Sequence, residues 1–266
     1  MKKLALTDFA KYRYPSALEL SPDGRYLTFA LKEVDREGDG YRWNLWLYDL
    51  ESRESRQITR GDHQRQEDNT HILYKTTELD EAMRARGFEE EWTVYHRLNV
   101  CTGEESEAFR LPMSVSGLWK MDEGRYVFTG ETHLDRPNLL ELTGEALEKE
   151  LVRRQQTKGY KVLTELPLCE NGVGMFNQTR ITLFLYLEAT GEYRRITPED
   201  YDVNHVNVRP GQVLFTAFPF RDVKPVTEGM YRWDAERNET ETLITPDKYS
   251  IDYVGHLGRK ALCLGL

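Results

Sequence analysis

Residues 17–30 read Ala-Leu-Glu-Leu-Ser-Pro-Asp-Gly-Arg-Tyr-Leu-Thr-Phe-Ala. Two runs that alternate apolar and polar residues flank a Pro-Asp-Gly turn, and such a turn supplies the backbone angles that reverse a chain between antiparallel strands. Similar short runs lie around the turns at Gly124 and Gly211, in residues 121–129 and 206–216. The stretch therefore predicts an inner β-hairpin that repeats along the chain.

A second repeated unit follows each inner hairpin. It begins with an aromatic and leucine-rich run, passes a polar turn and returns in a strand that ends at Ile-Thr; it occupies residues 44–59, 183–197 and 229–245. Residues 93–105 follow the same pattern more loosely, without the Ile-Thr ending. This pattern is typical of an outer β-hairpin.

An inner hairpin followed by an outer hairpin makes a four-stranded antiparallel unit of about 45 residues, the size of a propeller blade. The sequence therefore predicts an all-β protein, a β-propeller of about four and a half blades in a single domain over residues 1–266. We expect the blades at 16–59, 62–112, 113–197 and 201–245, with a partial blade at 248–266.

Two segments interrupt the repeat with strong helix formers at helical spacing, residues 78–86 and 142–156. Both are predicted to be short surface helices. The second explains why the third blade is nearly twice as long as the others, because insertions in a repeat architecture fall in loops.

Ring closure has two alternatives. An incomplete ring would leave open edges that pair with another copy of the chain. Alternatively, residues 4–9 would add a strand to the last hairpin and close a five-bladed ring. We favour the incomplete ring.

Composition restricts the partners. Thirty-six basic and 45 acidic residues give a net charge of −9, which would repel a nucleic-acid backbone. No segment approaches the roughly 20 apolar residues that span a bilayer, so no membrane partner is expected. Three widely spaced cysteines, Cys101, Cys169 and Cys263, predict buried free thiols and a cytoplasmic protein.

Several stretches resemble one family. Residues 6–29, 44–50, 56–59, 162–175 and 252–258 are similar to the propeller of acylaminoacyl peptidases in the prolyl oligopeptidase family. The resemblance implies a C-terminal α/β-hydrolase domain with a Ser-Asp-His triad as partner, short or acylated peptides as substrates, and a propeller that restricts access to them.

Two other propeller classes are alternatives. Pro-Asp-Gly hairpins also occur in interaction propellers of the TolB type, which have no hydrolase domain. A sugar-active or lactonase propeller is disfavoured because no metal ligands converge in the sequence.

The chain lacks the chemistry of such a hydrolase. A hydrolase nucleophile needs Gly-x-Ser-x-Gly, and none of the eight serines has that context. Ser116 is followed by Gly117, but Ser114 stands where the first glycine belongs. We predict no catalytic residue and no activity of this chain alone.

No cofactor or metal is expected either. The six histidines form no short ligand pair, and residues 35–40 imitate a calcium loop whose twelfth position is Trp46 instead of glutamate. The weak substrate-binding candidates are Glu89, Glu90 and Glu91, because paired propeller carboxylates hold a peptide's terminal ammonium in the dipeptidyl branch of the family. A solvated run of charges is the competing interpretation.

Overall fold

The computed structural model describes residues 3, 5–35, 40–60, 64–167, 169–170, 174–175, 177–258 and 260–265. The chain divides into two compact units. The first comprises Met1–Glu78 and Trp92–Leu111, and the second comprises Leu79–Glu91 and Pro112–Leu266.

The described residues form twenty strands and two α-helices. The strands are β1 (Arg13–Leu20), β2 (Tyr26–Asp35), β3 (Gly40–Asp49), β4 (Glu54–Arg60), β5 (Gln64–Gln66), β6 (His71–Leu79), β7 (Glu91–Asn99), β8 (Glu105–Leu111), β9 (Val115–Asp122), β10 (Arg125–His133), β11 (Cys169–Glu170), β12 (Gly174–Met175), β13 (Thr179–Leu187), β14 (Glu192–Arg195), β15 (Tyr201–Arg209), β16 (Gln212–Pro219), β17 (Gly229–Asp234), β18 (Glu239–Ile244), β19 (Ile251–Leu257) and β20 (Lys260–Gly265). The helices are α1 (Glu81–Ala85) and α2 (Gly144–Thr157), with 3₁₀ turns at Leu6–Lys11 and Leu139–Glu141.

The first unit contains two four-stranded antiparallel sheets, β1-β2-β3-β4 and β5-β6-β7-β8. Alternate residues of a strand face opposite sides of its sheet, so each sheet offers one apolar face to its neighbour. The resulting core consists of Ala30, Leu45 and Leu47 from the first sheet and Ile72, Tyr74, Leu98 and Val100 from the second.

The second unit contains two further four-stranded sheets, β9-β10-β13-β14 and β15-β16-β17-β18, and the two-stranded sheet β19-β20. Its largest core joins the two four-stranded sheets and includes the fully buried Val127, Leu183, Val213 and Trp233. A smaller core packs Leu214 and Met230 against Ile251 and Val254 of the last hairpin.

The Pro-Asp-Gly turn forms as the sequence predicts. Gly24 has a φ of +75°, a left-handed conformation that glycine adopts without steric cost. The Ser21 hydroxyl donates to Asp23 Oδ1 at 2.6 Å and accepts from the Tyr26 amide at 2.9 Å. These bonds fix the register in which β1 and β2 pair.

The four-stranded antiparallel sheets confirm the predicted all-β fold, and no sheet of the described residues closes on itself. The predicted helices at 78–86 and 142–156 correspond to α1 and α2. Residues 6–11 form a 3₁₀ turn, so the less favoured alternative, a strand over 4–9, is wrong for them. The single domain and the open ring stay predictions.

The prediction of buried thiols is wrong for two cysteines. Cys101 and Cys169 are exposed and Cys263 is half-buried. Cys101 lies in the turn between β7 and β8, and Cys169 lies in a short hairpin inside an insertion, so neither occupies an inward-facing strand position.

Candidate interaction surface

Three long connections each join the second strand of a four-stranded sheet to the third. Within each four-stranded sheet, the first and second strands, and likewise the third and fourth, are joined by short turns at one end. The second and third strands are joined at the opposite end, because neighbouring strands are antiparallel. The connections at that end include residues 80–90, 134–178 and 220–228. All three belong to the second unit.

Two of these connections form a small helical layer. Met83 of α1 and Leu151 of α2 are buried together with Leu139, and Phe88 and Leu147 pack against them. The Asp80 side chain accepts a hydrogen bond from the Met83 amide at 2.8 Å, which caps the first turn of α1. The five-residue α1 is too short to be stable alone, so this contact with α2 holds it in place.

Arg154 joins the two connections electrostatically. Its guanidinium donates to Glu90 at 2.7 Å, to Glu150 at 3.0 Å and to the carbonyl of Pro137 at 2.6 Å. The side chain of Arg154 is only 14% exposed, which strengthens these charge-assisted bonds relative to surface pairs. A second, more exposed pair joins Arg86 to Glu148.

The three candidate carboxylates, those of Glu89, Glu90 and Glu91, differ in their surroundings. Glu90 forms an ion pair with Arg154. Glu89 and Glu91 are exposed, and no described cation pairs with them. The competing interpretation, a solvated run, therefore suits Glu89 and Glu91 but not Glu90. A role of the three residues in substrate binding stays a prediction.

A buried ion pair anchors the remaining connections. Arg180 donates two parallel hydrogen bonds to the Glu165 carboxylate, one of them at 3.1 Å, and further bonds to the carbonyls of Thr179 and Phe220. The Arg180 guanidinium also lies 4.1 Å from the centre of the Phe220 ring. Both charged side chains are excluded from water, at 0% and 2% exposure. One strand residue thus holds the segments around Glu165 and Phe220 together.

Above this ion pair the two segments touch through their backbones. The Leu166 amide donates to the Asp222 carbonyl, and the Lys224 amide donates to the Leu166 carbonyl, both at 2.8 Å. Leu166 and Val223 thereby form a parallel β-bridge. We call residues 160–167 and 221–226 the loop ridge. The periodicity of the sequence carries no signal for it, because neither segment belongs to a repeated hairpin.

His133 ends β10 beside these connections. Burial and the neighbouring Arg136 lower the pKa of His133 to about 4, which keeps the imidazole neutral near pH 7. Its ring nitrogens face the hydroxyl of Thr179 at 3.3 Å and the guanidinium of Arg136 at 3.1 Å.

Ser116, which lacks the Gly-x-Ser-x-Gly context, lies in β9. The Ser116 hydroxyl lies 2.9 Å from the hydroxyl of Thr129, and no described histidine hydrogen-bonds to it.

In the part of the chain that the structure describes, no three His, Cys, Asp or Glu side chains converge as metal ligands. Residues 36–39 of the calcium-like loop lie outside the described residues. No helix in the described ranges is long and apolar enough to cross a bilayer.

The sequence matches no protein-family model and no curated protein. Among solved structures, the chain is similar to an acylaminoacyl peptidase from Pyrococcus horikoshii, with 14% identity, a TM-score of 0.62, and coverage of 91% of this chain and 34% of that one. It is also similar to a prolyl endopeptidase, with 13% identity, a TM-score of 0.55, and coverage of 98% and 32%. TolB from Acinetobacter baumannii aligns with 11% identity and a TM-score of 0.46, over 94% of this chain and 51% of that one.

The chain thus spans about a third of the length of the two peptidases. At these identities the similarity establishes the architecture alone. The chain has the fold of the propeller domains of acylaminoacyl and prolyl endopeptidases.

Proposed function

We propose that this chain is the non-catalytic propeller region of a serine peptidase of the prolyl oligopeptidase family. In that role it pairs with an α/β-hydrolase domain and admits short or acylated peptides to the hydrolase's active site. The observation that carries the proposal is the fold similarity to an acylaminoacyl peptidase over 91% of this chain. The lack of Gly-x-Ser-x-Gly at any of the eight serines agrees with a region that leaves the chemistry to another domain.

A size filter is a physically reasonable task for this fold. Sheets packed around an entrance would exclude folded proteins sterically, whereas a short extended peptide is narrow enough to pass between them. The proposed compartment is the cytoplasm, which the three unpaired cysteines support.

The proposal is tested first on the chain as it stands. Purified residues 1–266 should not hydrolyse an acetyl-aminoacyl p-nitroanilide, and turnover that a serine-directed fluorophosphonate abolishes would contradict the assignment. The second arm is the gene. A Gly-x-Ser-x-Gly codon pattern downstream in the same reading frame supports the proposal, whereas a stop codon close behind Leu266 supports an interaction propeller of the TolB type instead.

A further inference from the structure

Glu228, the residue before β17, is a buried carboxylate without a cationic partner among the described residues. It is only 8% exposed, and its Oε2 atom is buried and hydrogen-bonds to no described group. The other two buried glutamates of the described ranges each have an arginine. Glu150 pairs with Arg154. Glu165 pairs with Arg180. Glu228 therefore lacks the positive charge that both counterparts have.

Only one neutral group is shown to compensate the Glu228 carboxylate. Asn204 Nδ2 donates a hydrogen bond to Glu228 Oε1 at 2.7 Å. An amide donor satisfies one lone pair but leaves the negative charge in place. A buried charge without a counter-charge is unfavourable, and proteins remove this penalty by pairing the charge or by coordinating a metal. The site is thus one positive charge short.

The backbone fixes both side chains and leaves a path to solvent. The register of β15 against β16 shifts between Val203 and Val206, so Asn204 lies in a β-bulge, and bulges redirect side chains. The Glu228 amide donates to the Tyr249 carbonyl at 2.9 Å, which holds the residue before β17 in place. Asn204 is exposed, so it connects the buried carboxylate to the surface. A small ion reaches Oε2 when this one side chain moves.

The charge and the atoms at the site select the kind of ion. One carboxylate is neutralised by a single positive charge, whereas a divalent ion would leave a surplus charge in a buried place. The ligand atoms are oxygens, Glu228 Oε2 and the amide oxygen of Asn204, the atom of that amide not used in the bond to Oε1. Oxygen ligands suit hard metal ions. The burial of Oε2 favours a bare ion over a bulky organic ammonium.

We propose that Glu228 and Asn204 bind a monovalent metal cation, sodium or potassium. The ion lies against Glu228 Oε2, the Asn204 amide oxygen is a second ligand, and water on the solvent side completes its coordination. It links the end of the 220–228 connection to β15. This site goes beyond the proposed function, since it requires neither a hydrolase domain nor a peptide. The two residues lie 24 positions apart, without a metal-ligand motif in the sequence.

The first test measures the stability of the chain by urea denaturation in sodium, potassium or N-methyl-D-glucamine chloride at equal ionic strength. A ligand that binds only the folded state lowers the unfolding equilibrium constant by the factor 1 + [L]/Kd. At about 200 mM salt we expect this constant to be about fivefold lower in sodium or potassium chloride than in N-methyl-D-glucamine chloride, whose cation is too bulky for the site. Equal stability in the three salts would overturn the proposal.

Two matched variants locate the effect. Glu228→Gln should abolish the difference between the salts, because the amide keeps the shape of the side chain but carries no charge. Glu91→Gln should retain it, because Glu91 is exposed. In N-methyl-D-glucamine chloride, Glu228→Gln should be at least as stable as the parent, since it removes an uncompensated buried charge. Salt effects of equal size in the two variants would contradict the proposal.

The ion itself is detected by ²³Na NMR, which needs no change in stability. The parent chain should broaden the ²³Na resonance more than Glu228→Gln does, and potassium chloride should reverse the broadening by competition. Equal line widths for the two proteins would refute binding at Glu228. Stabilisation by calcium chloride without stabilisation by sodium or potassium would identify a divalent-ion site and would also overturn the proposal.

Discussion

Arg180 and Glu165 form a two-pronged ion pair from which water is excluded, and the pair joins a central strand to the segment that starts the loop ridge. Removing one partner leaves an uncompensated buried charge. We expect Glu165→Ala to lower the free energy of unfolding by about 3–5 kcal/mol, measured by urea denaturation. The double variant Arg180→Met/Glu165→Leu should lose much less, because no charge remains buried. A Glu165→Ala variant as stable as the parent would show that the pair is not buried in solution.

Arg154 should hold the α1 segment more firmly than its sequence neighbour Arg153 does. Arg154 contacts Glu90, Glu150 and Pro137, whereas Arg153 is 47% exposed and pairs with Glu150. Arg154→Ala should therefore speed tryptic cleavage after Arg84 and Arg86 at least threefold, with Arg153→Ala as the control. Equal cleavage rates in the two variants would refute this role.

Glycine at 229 allows an aromatic ring to lie over the strand. A Cβ atom at this position would come within 2.5 Å of the Tyr231 hydroxyl and 2.7 Å of its ring, and Tyr231 belongs to the main core of the second unit. Gly229→Ala should cost about 1–3 kcal/mol of unfolding free energy through overpacking. Gly159→Ala is the control, because nothing lies within 4 Å of its Cβ. Equal urea midpoints for both variants would be inconsistent with this packing.

His133 should make stability depend on acid pH. Burial lowers its pKa to about 4 in the folded chain, whereas an unfolded histidine has a pKa of about 6.5. Between these values the unfolded chain binds a proton that the folded chain does not, so the free energy of unfolding should fall as pH drops from 6.5 to 4. Above pH 6.5 this contribution is constant.

The matching measurement compares urea denaturation of the parent and of His133→Asn across that pH range. The variant should show a shallower fall below pH 6.5. Part of the fall should persist, because burial also lowers the pKa of His256. Identical pH profiles would mean that folding does not lower the pKa of His133.

The hairpins were predictable because their signals are local. A turn such as Ser21-Pro-Asp-Gly24 and the alternation on both sides of it lie within about 14 residues, and the helix formers of α2 are contiguous. The register of the outer hairpins follows from the same short-range pattern. The prediction that Cys101 and Cys169 are buried was wrong because it relied on how often cysteines are buried in general. These two cysteines lie in a turn and in an insertion.

The interaction surface was not predictable in the same way. Arg180 bonds to Glu165, which lies 15 residues away in the sequence, and to the Phe220 carbonyl, which lies 40 residues away. Leu166 pairs with Val223, 57 residues away, and neither belongs to a repeated hairpin. Arg154 reaches Glu90 across 64 residues. Such pairs depend on how insertions pack on the sheets, which no periodicity encodes. The run Glu89-Glu90-Glu91 is visible in the sequence. The sequence does not show that Glu90 forms an ion pair while Glu89 and Glu91 are exposed.

The proposed role of this propeller fold is to filter substrates for a hydrolase domain. Its most direct test is the protein encoded by the whole reading frame, assayed against an acetylated tripeptide and against the same sequence placed at the end of a folded protein. We expect kcat/KM for the tripeptide to exceed that for the folded protein at least a hundredfold, with both activities abolished by a serine-directed fluorophosphonate. Equal values of kcat/KM for the two substrates would contradict the account.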